Sequence, residues 1–370
     1  MKYYLVAGEA SGDLHGANLM KTLKQKDPQA EFRFFGGDKM FAEGGELVKH
    51  YADMAYMGFI EVVANIRTIS RNLKSCKEDI VAWRPDVLVL IDFPGFNLRI
   101  AEAAKKADIM VCYYISPKVW AWNQKRVLKI KRIVDHLFCI LPFEVDFYKS
   151  WGMEVDYVGN PLLDAVSAFR PDANFRNKHG LGDDKIIALL PGSRKQEISR
   201  ILPDMVASAK NFPGYRFVVA GAPSFQAAYY GEYLKDSGIS IVFDSTYDLL
   251  NNAWAAVVAS GTAVLETALF NVPQVAVYKS SPISITIARL VIKVKFITLV
   301  NLIMDKMVVK ELIQQDCNPQ KISDELKLVI ENQGSRQQML TDYRILHEKM
   351  GKSGASARTA ELIWQYAPKK

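Results

Sequence analysis

Short apolar runs alternate with helix-periodic stretches along the whole of this 370-residue chain. In the first half, Tyr3–Ala7, Phe32–Phe35, Val87–Ile91, Met110–Ile115, Leu137–Leu141 and Val155–Val158 read as β-strands. Several are apolar at successive rather than alternate positions, the pattern of strands covered by helices on both faces. The pattern restarts at Ile186–Leu190 and continues through Phe217–Ala220, Ile239–Phe243, Ala256–Ala259 and Val275–Tyr278. Between the halves, Asn160–Lys185 carries Pro161, Pro171, Gly180 and Gly182 among charges and reads as a linker. The C-terminal stretch lacks strand runs and reads as helical, ending in Ala357–Tyr366. The expected fold is α/β, with two doubly wound, Rossmann-like domains whose strand ends face a central cleft. Residues 1–165 form the expected first domain and 166–349 the second, with a helix in 350–370 returning to the first.

Composition narrows the class. With 49% hydrophobic and 24% charged residues the chain buries a full core, which excludes a disordered or fibrous protein. A net charge of +7 permits anionic partners and gives no reason to expect nucleic acid. Cys76, Cys112, Cys139 and Cys317 are too scattered for a disulfide framework, so a reduced, cytoplasmic protein is expected. The opening MKYYLVAGEASGD does not read as a signal peptide. Ile283–Met304 is the most membrane-like segment, but Arg289, Lys293 and Lys295 interrupt it, so nothing is expected to span a bilayer. No cysteine or histidine spacing suits a metal, and neither metal nor cofactor is expected.

Candidate chemistry gathers at strand ends. The first strand runs into Gly8-Glu9-Ala10-Ser11-Gly12-Asp13-Leu14-His15, a turn that brings backbone close to a ligand or simply caps a helix through Ser11 or Asp13. Glu9, Ser11, Gly12, Asp13 and His15 are cleft candidates. Strand Val87–Ile91 ends in Asp92-Phe93-Pro94-Gly95-Phe96-Asn97, which places a carboxylate where a general base is useful, with Asn97 beside it. Trp120 and Trp122 either pack beneath the cleft or wall it, and the following Gln124–Arg132 is basic, a solvated face or an anion contact. In the second half, Gly192-Ser193-Arg194 and Ser260-Gly261-Thr262-Ala263 each follow a strand; together they suit a nucleoside diphosphate, with Glu266 placed for ribose hydroxyls. Met57, Phe59, Ile60, Val62, Val63, Ile66 and Ile69 make an apolar stripe followed by Arg67, Arg71 and Lys74, either core or a patch for an anionic bilayer or acyl chains.

These motifs in this order, GEASGDLHG, MGFIEVV, DFPGFN, SPKVWAW, LPFE, VGNP, LPGSR, ASGTAVLE and ITLVNL, resemble the lipid-A-disaccharide synthases across nearly the whole chain. The resemblance implies a GT-B glycosyltransferase that is metal-independent and inverting. It implies transfer of 2,3-diacylglucosamine from UDP to 2,3-diacylglucosamine 1-phosphate (lipid X), forming a β-1,6 linkage and releasing UDP at the cytoplasmic face of the inner membrane. By position it makes Asp92 the general base and puts Arg194, Ser260–Ala263, Glu266 and Asn301 in the donor region. It also makes Met57–Ile69 the membrane-facing segment. Gly95 stands where the family often carries a second acid, and Met307 where a glutamate is expected, which shifts attention to Glu311 or Glu266. Rival readings are a UDP-N-acetylglucosamine 2-epimerase and a non-catalytic UDP-sugar or lipid-binding protein. The sequence leaves the oligomeric state open, a homodimer included.

Overall fold

The computed structural model describes residues 1–54, 65–281, 285 and 294–368. The chain divides into two compact units, Met1–Asp164 with Lys352–Lys370, and Ala165–Gly351.

The first unit is a parallel sheet of β1 (Lys2–Ala7), β2 (Glu31–Gly36), β3 (Glu46–His50), β4 (Val87–Ile91), β5 (Met110–Tyr114), β6 (His136–Cys139) and β7 (Asp156–Tyr157), in the order 3-2-1-4-5-6-7. Successive side chains of a strand point to opposite faces, so β1 supplies both cores. Tyr4 and Val6 join a cluster with Leu88, Leu90 and Tyr113, while Tyr3, Leu5 and Ala7 join the opposite one with Leu19, Val89 and Tyr114. That two-sided burial explains why these strands read as continuous apolar runs. The helix Ala355–Tyr366 adds Ala360 and Ile363 to the second cluster, and Arg358 Nε donates to the Val158 carbonyl at 2.8 Å. The chain terminus thus completes the unit in which the chain began.

The second unit repeats the architecture with β8 (Lys185–Leu190), β9 (Tyr215–Gly221), β10 (Ser240–Phe243), β11 (Ala253–Ala259), β12 (Gln274–Tyr278) and β13 (Lys310–Ile313), ordered 10-9-8-11-12-13. Both sheets reverse strand order beside their first strand, and ligands of doubly wound sheets bind at that reversal.

Two strands lack an apolar signature. β3 (ELVKH) and β13 (KELI) are edge strands, and charged residues on an edge discourage pairing with other chains. The stretch read as a linker holds the helix Pro161–Ala168 and the turn Phe175–Lys178 with Phe175 buried. Pro161 is the first helical residue, the one place where a missing N–H costs nothing. Among the described residues, no helix is long and apolar enough to cross a membrane. Most of Ile283–Met304 up to Lys293 lies outside the described residues, as do Met57, Phe59, Ile60, Val62 and Val63.

Candidate active site

In the first unit, the loops after β1 and β4 lie side by side because those strands pair from Tyr3↔Val87 to Ala7↔Ile91. Gly8 is required there: a Cβ would sit 2.3 Å from the Phe93 ring. Asp92 and Phe93 both adopt left-handed backbone, with φ of 46° and 50°. Such a conformation strains residues other than glycine. The turn is held from beneath. Asn97 Nδ2 donates to the carbonyls of Asp92 (2.8 Å), Ile91 (3.2 Å) and Val6 (3.3 Å), and Tyr113 Oη donates to the Asp92 carbonyl at 2.6 Å. The Asp92 N–H donates to Tyr114 O at 3.0 Å, so the backbone stays on the ladder until it turns. Burial raises the Asp92 carboxyl above its ordinary range, and the Lys118 ammonium pulls it partly back. Strain, fixation and a raised pKa on one carboxylate suit a general base.

The neighbouring candidates separate into ligand-facing and framework groups. Asp13 is buried, accepting from the N–H groups of Gly37 (2.7 Å), Met40 (3.1 Å) and Lys39 (3.1 Å). It therefore caps the helix Asp38–Ala42 rather than its own, whose cap is Glu9. Gly12 is buried against Ala7, and Ser11 is exposed at the loop surface. Burial lowers His15 to about 4, which keeps its imidazole neutral at pH 7 and a weak base. Asn97 is likewise framework, since its amide hydrogens are engaged by backbone carbonyls.

The two tryptophans have different fates. Trp120 is buried and its Nε1 donates to Glu144 at 3.0 Å, whereas Trp122 is exposed with the Arg126 guanidinium 4.9 Å from its ring. Glu144 also accepts from Ser116 Oγ (2.5 Å) and from the N–H groups of Leu141 (3.0 Å) and Ile140 (3.2 Å). It pins the loop after β5 to the loop after β6. The sequence shows Glu144 only as the last residue of the LPFE motif and gives it no role, because no local spacing marks a carboxylate that a distant loop will bury. Of the apolar stripe, Ile66 is exposed at the start of the helix Ile66–Trp83, and Ile69 packs against the core.

In the second unit, a cavity of about 380 Å³ opens at the reversal between β8 and β11. Its lining brings together Gly192, Ser193, Arg194, Ser260, Gly261, Thr262, Ala263 and Glu266. Gly192, at φ +101°, lets the chain turn after β8. Arg194 is largely exposed and its Nη1 pairs with Glu197 across 3.2 Å, which leaves the other edge of the guanidinium to meet an anion. The helix Thr262–Leu269 begins at the cavity and aims its first N–H groups there. Glu266 is half-buried at the cavity wall, where desolvation raises its carboxyl, and it accepts from Tyr247 Oη at 2.8 Å. The sequence marked neither Glu197 and Thr246, which line the cavity, nor Tyr247, which holds Glu266.

Asn301 lies elsewhere. It is fully buried, its Nδ2 donating to Val309 O and Glu311 at 2.8 Å each, and its Oδ1 accepting from Val308 N (2.8 Å) and Val309 N (2.9 Å). No side-chain donor or acceptor is left for a nucleotide, so Asn301 works as framework. Glu311 is similarly engaged by Ile297, Thr298 and Asn301, and Met307 is exposed. Of the acids considered in place of the missing glutamate, only Glu266 lines the cavity.

A family model described as lipid-A-disaccharide synthetase matches residues 3–363. The chain is 40% identical to the lipid-A-disaccharide synthase of Myxococcus xanthus, with 98% of this chain and 97% of the relative covered. It is 38% identical to that of Trichlorobacter lovleyi, covering 97% of this chain and 96% of the relative. Among solved structures, Staphylococcus aureus MnaA with UDP superposes with a TM-score of 0.70 at 14% identity, covering 99% of this chain and 96% of that one. The Neisseria meningitidis UDP-GlcNAc 2-epimerase bound to UDP-GlcNAc gives 0.64 at 13% identity, with 99% of each chain covered. At such identities these likenesses carry the fold alone: α/β, GT-B, with two Rossmann-like domains.

Proposed function

The chain belongs to the lipid-A-disaccharide synthase family, and from that premise we propose how its own residues carry out the family's reaction. The enzyme is a hexosyltransferase that moves 2,3-diacylglucosamine from UDP to the 6-hydroxyl of 2,3-diacylglucosamine 1-phosphate. Asp92 takes the hydroxyl proton as the oxygen attacks the anomeric carbon. The C1–O bond to the β-phosphate breaks on the opposite face, and UDP leaves with the bonding pair. Arg194 and the N–H groups of Ser260–Thr262 stabilise the charge that gathers on the β-phosphate. Glu266, held by Tyr247, accepts from ribose hydroxyls. One displacement inverts the centre, so no second nucleophilic carboxylate is needed.

The single observation that carries the mechanism is the strained, tethered turn that presents Asp92 at the strand reversal of the first unit. The acceptor and donor carry acyl chains, which points to work at the cytoplasmic face of the inner membrane. Exposed Ile66 and the exposed cations Arg67, Arg71 and Lys74 favour contact with an anionic bilayer there. The test supplies purified protein with UDP-2,3-diacylglucosamine and lipid X, without added metal. Mass spectrometry should find the disaccharide 1-phosphate, with an equal amount of UDP. Epimerised UDP-sugar without disaccharide would point to the epimerase reading, and binding without UDP release to a non-catalytic protein.

A further inference from the structure

A second, smaller hollow within the first unit is bordered by the start of the helix Pro94–Lys106, which follows Asp92 by two residues. It measures about 220 Å³ and is lined by Pro94, Gly95, Leu98, Arg99, Arg126 and Lys129. Half of that lining is cationic and none of it acidic. Lys129 is neutralised by Glu102 at 3.0 Å, and Arg126 stacks on Trp122. Arg99 has no ion-pair partner among the described residues. It also borders a neighbouring depression lined by Lys74, Lys77 and Glu78. Guanidinium groups converging on one concavity repel each other unless an anion joins them.

We propose that this hollow seats the phosphomonoester of the acceptor, with Arg99 and Arg126 as its principal contacts. The inference rests on the glycosyltransferase reading above and adds the acceptor's anchoring point to it. Size supports a small anion: the volume falls below the roughly 300–1,000 Å³ of pockets that enclose a whole drug-sized ligand. Access supports it too, since a Cβ built on Gly95 would meet nothing within 4 Å. Arginine forks match phosphate oxygens in pairs, and the Trp122 stack holds one fork in place beforehand. Pro94 follows Asp92 by two residues on a rigid turn, so an anchored phosphate fixes the sugar relative to the base. A group that takes no part in bond making thus contributes orientation at the reacting hydroxyl.

The experiment compares wild type with Arg99→Ala/Arg126→Ala in neutral-detergent micelles and, in parallel, in vesicles containing phosphatidylglycerol, using UDP-2,3-diacylglucosamine and two acceptors. One is lipid X and the other is 2,3-diacylglucosamine without the phosphate. The double variant should lose roughly 10- to 100-fold in kcat/KM for lipid X. It should lose little with the phosphate-free acceptor and bind UDP like wild type by calorimetry. Arg99→Lys/Arg126→Lys should recover part of the loss, since charge returns without the fork. An unchanged preference for the phosphorylated acceptor overturns the proposal, as does an equal loss with both acceptors. A defect confined to anionic vesicles also overturns it, assigning the cations to the bilayer surface instead. If wild type itself forms no disaccharide, the glycosyltransferase reading fails and this inference with it. If wild type is active and the preference survives the substitutions, only the phosphate seat is wrong.

Discussion

Asp92→Asn separates catalysis from folding at the residue on which the mechanism turns. The replacement keeps shape, and asparagine tolerates left-handed backbone better than most residues, so φ of 46° is preserved without added strain. The backbone bonds to Tyr114, Asn97 and Tyr113 involve main-chain atoms and survive. What disappears is the proton acceptor. A positioned general base contributes about 10²–10⁴ in rate, or about 3–5 kcal/mol of barrier; kcat should fall by that factor while UDP affinity stays near wild type. Stability should move the other way. An acid whose pKa rises on folding stabilises the fold below its unfolded pKa and loses that contribution as pH rises through the folded value. At pH 7 the ionised Asp92 is therefore a cost, and the neutral amide removes it. The variant should melt at or above the wild-type temperature at pH 7, with the advantage vanishing as pH falls below about 4. The acid limb of the wild-type rate profile should lie above the ordinary carboxylate range for the same reason. Stopped assays of UDP release, with calorimetric melting at both pH values, read all of this. Turnover within threefold of wild type, or a marked drop in melting temperature, would refute the argument and make Asp92 a structural residue.

Other substitutions probe the surrounding parts. Asn97→Ala removes the donor shared by three carbonyls; it should cost roughly 1–3 kcal/mol by denaturant melts. Once the turn relaxes, kcat should also fall about 10²-fold. Arg194→Ala should weaken UDP binding roughly tenfold or more by calorimetry and leave melting unchanged, because the side chain is largely exposed. Unaltered affinity would remove Arg194 from the donor site. Glu311→Gln sets an amide against the N–H groups of Ile297 and Thr298 and should cost about 2–4 kcal/mol in stability. An unchanged melting temperature would show that this network does not hold the loop.

Chemistry at the strand ends was legible because it depends on local order. In a doubly wound sheet the residue after a buried strand lies at the carboxyl edge wherever the chain goes next. Asp92 after VLVLI, Gly192-Ser193-Arg194 after IIALL and Ser260-Gly261-Thr262 after AAVVA are of this kind. The strands themselves were legible because burial on both faces leaves an unbroken apolar run; β3 and β13, half-covered at edges, left none. Tertiary structure alone decided which polar residues face outward. Asp13, Asn97 and Asn301 have the chemistry of ligand contacts, yet each is consumed by backbone groups brought from other segments. Glu144 and Tyr247 gain their roles the same way, from partners 28 and 19 residues off. A buried polar group must find a partner. Local sequence says where a side chain begins; only the packed chain determines whether a neighbour has already satisfied it.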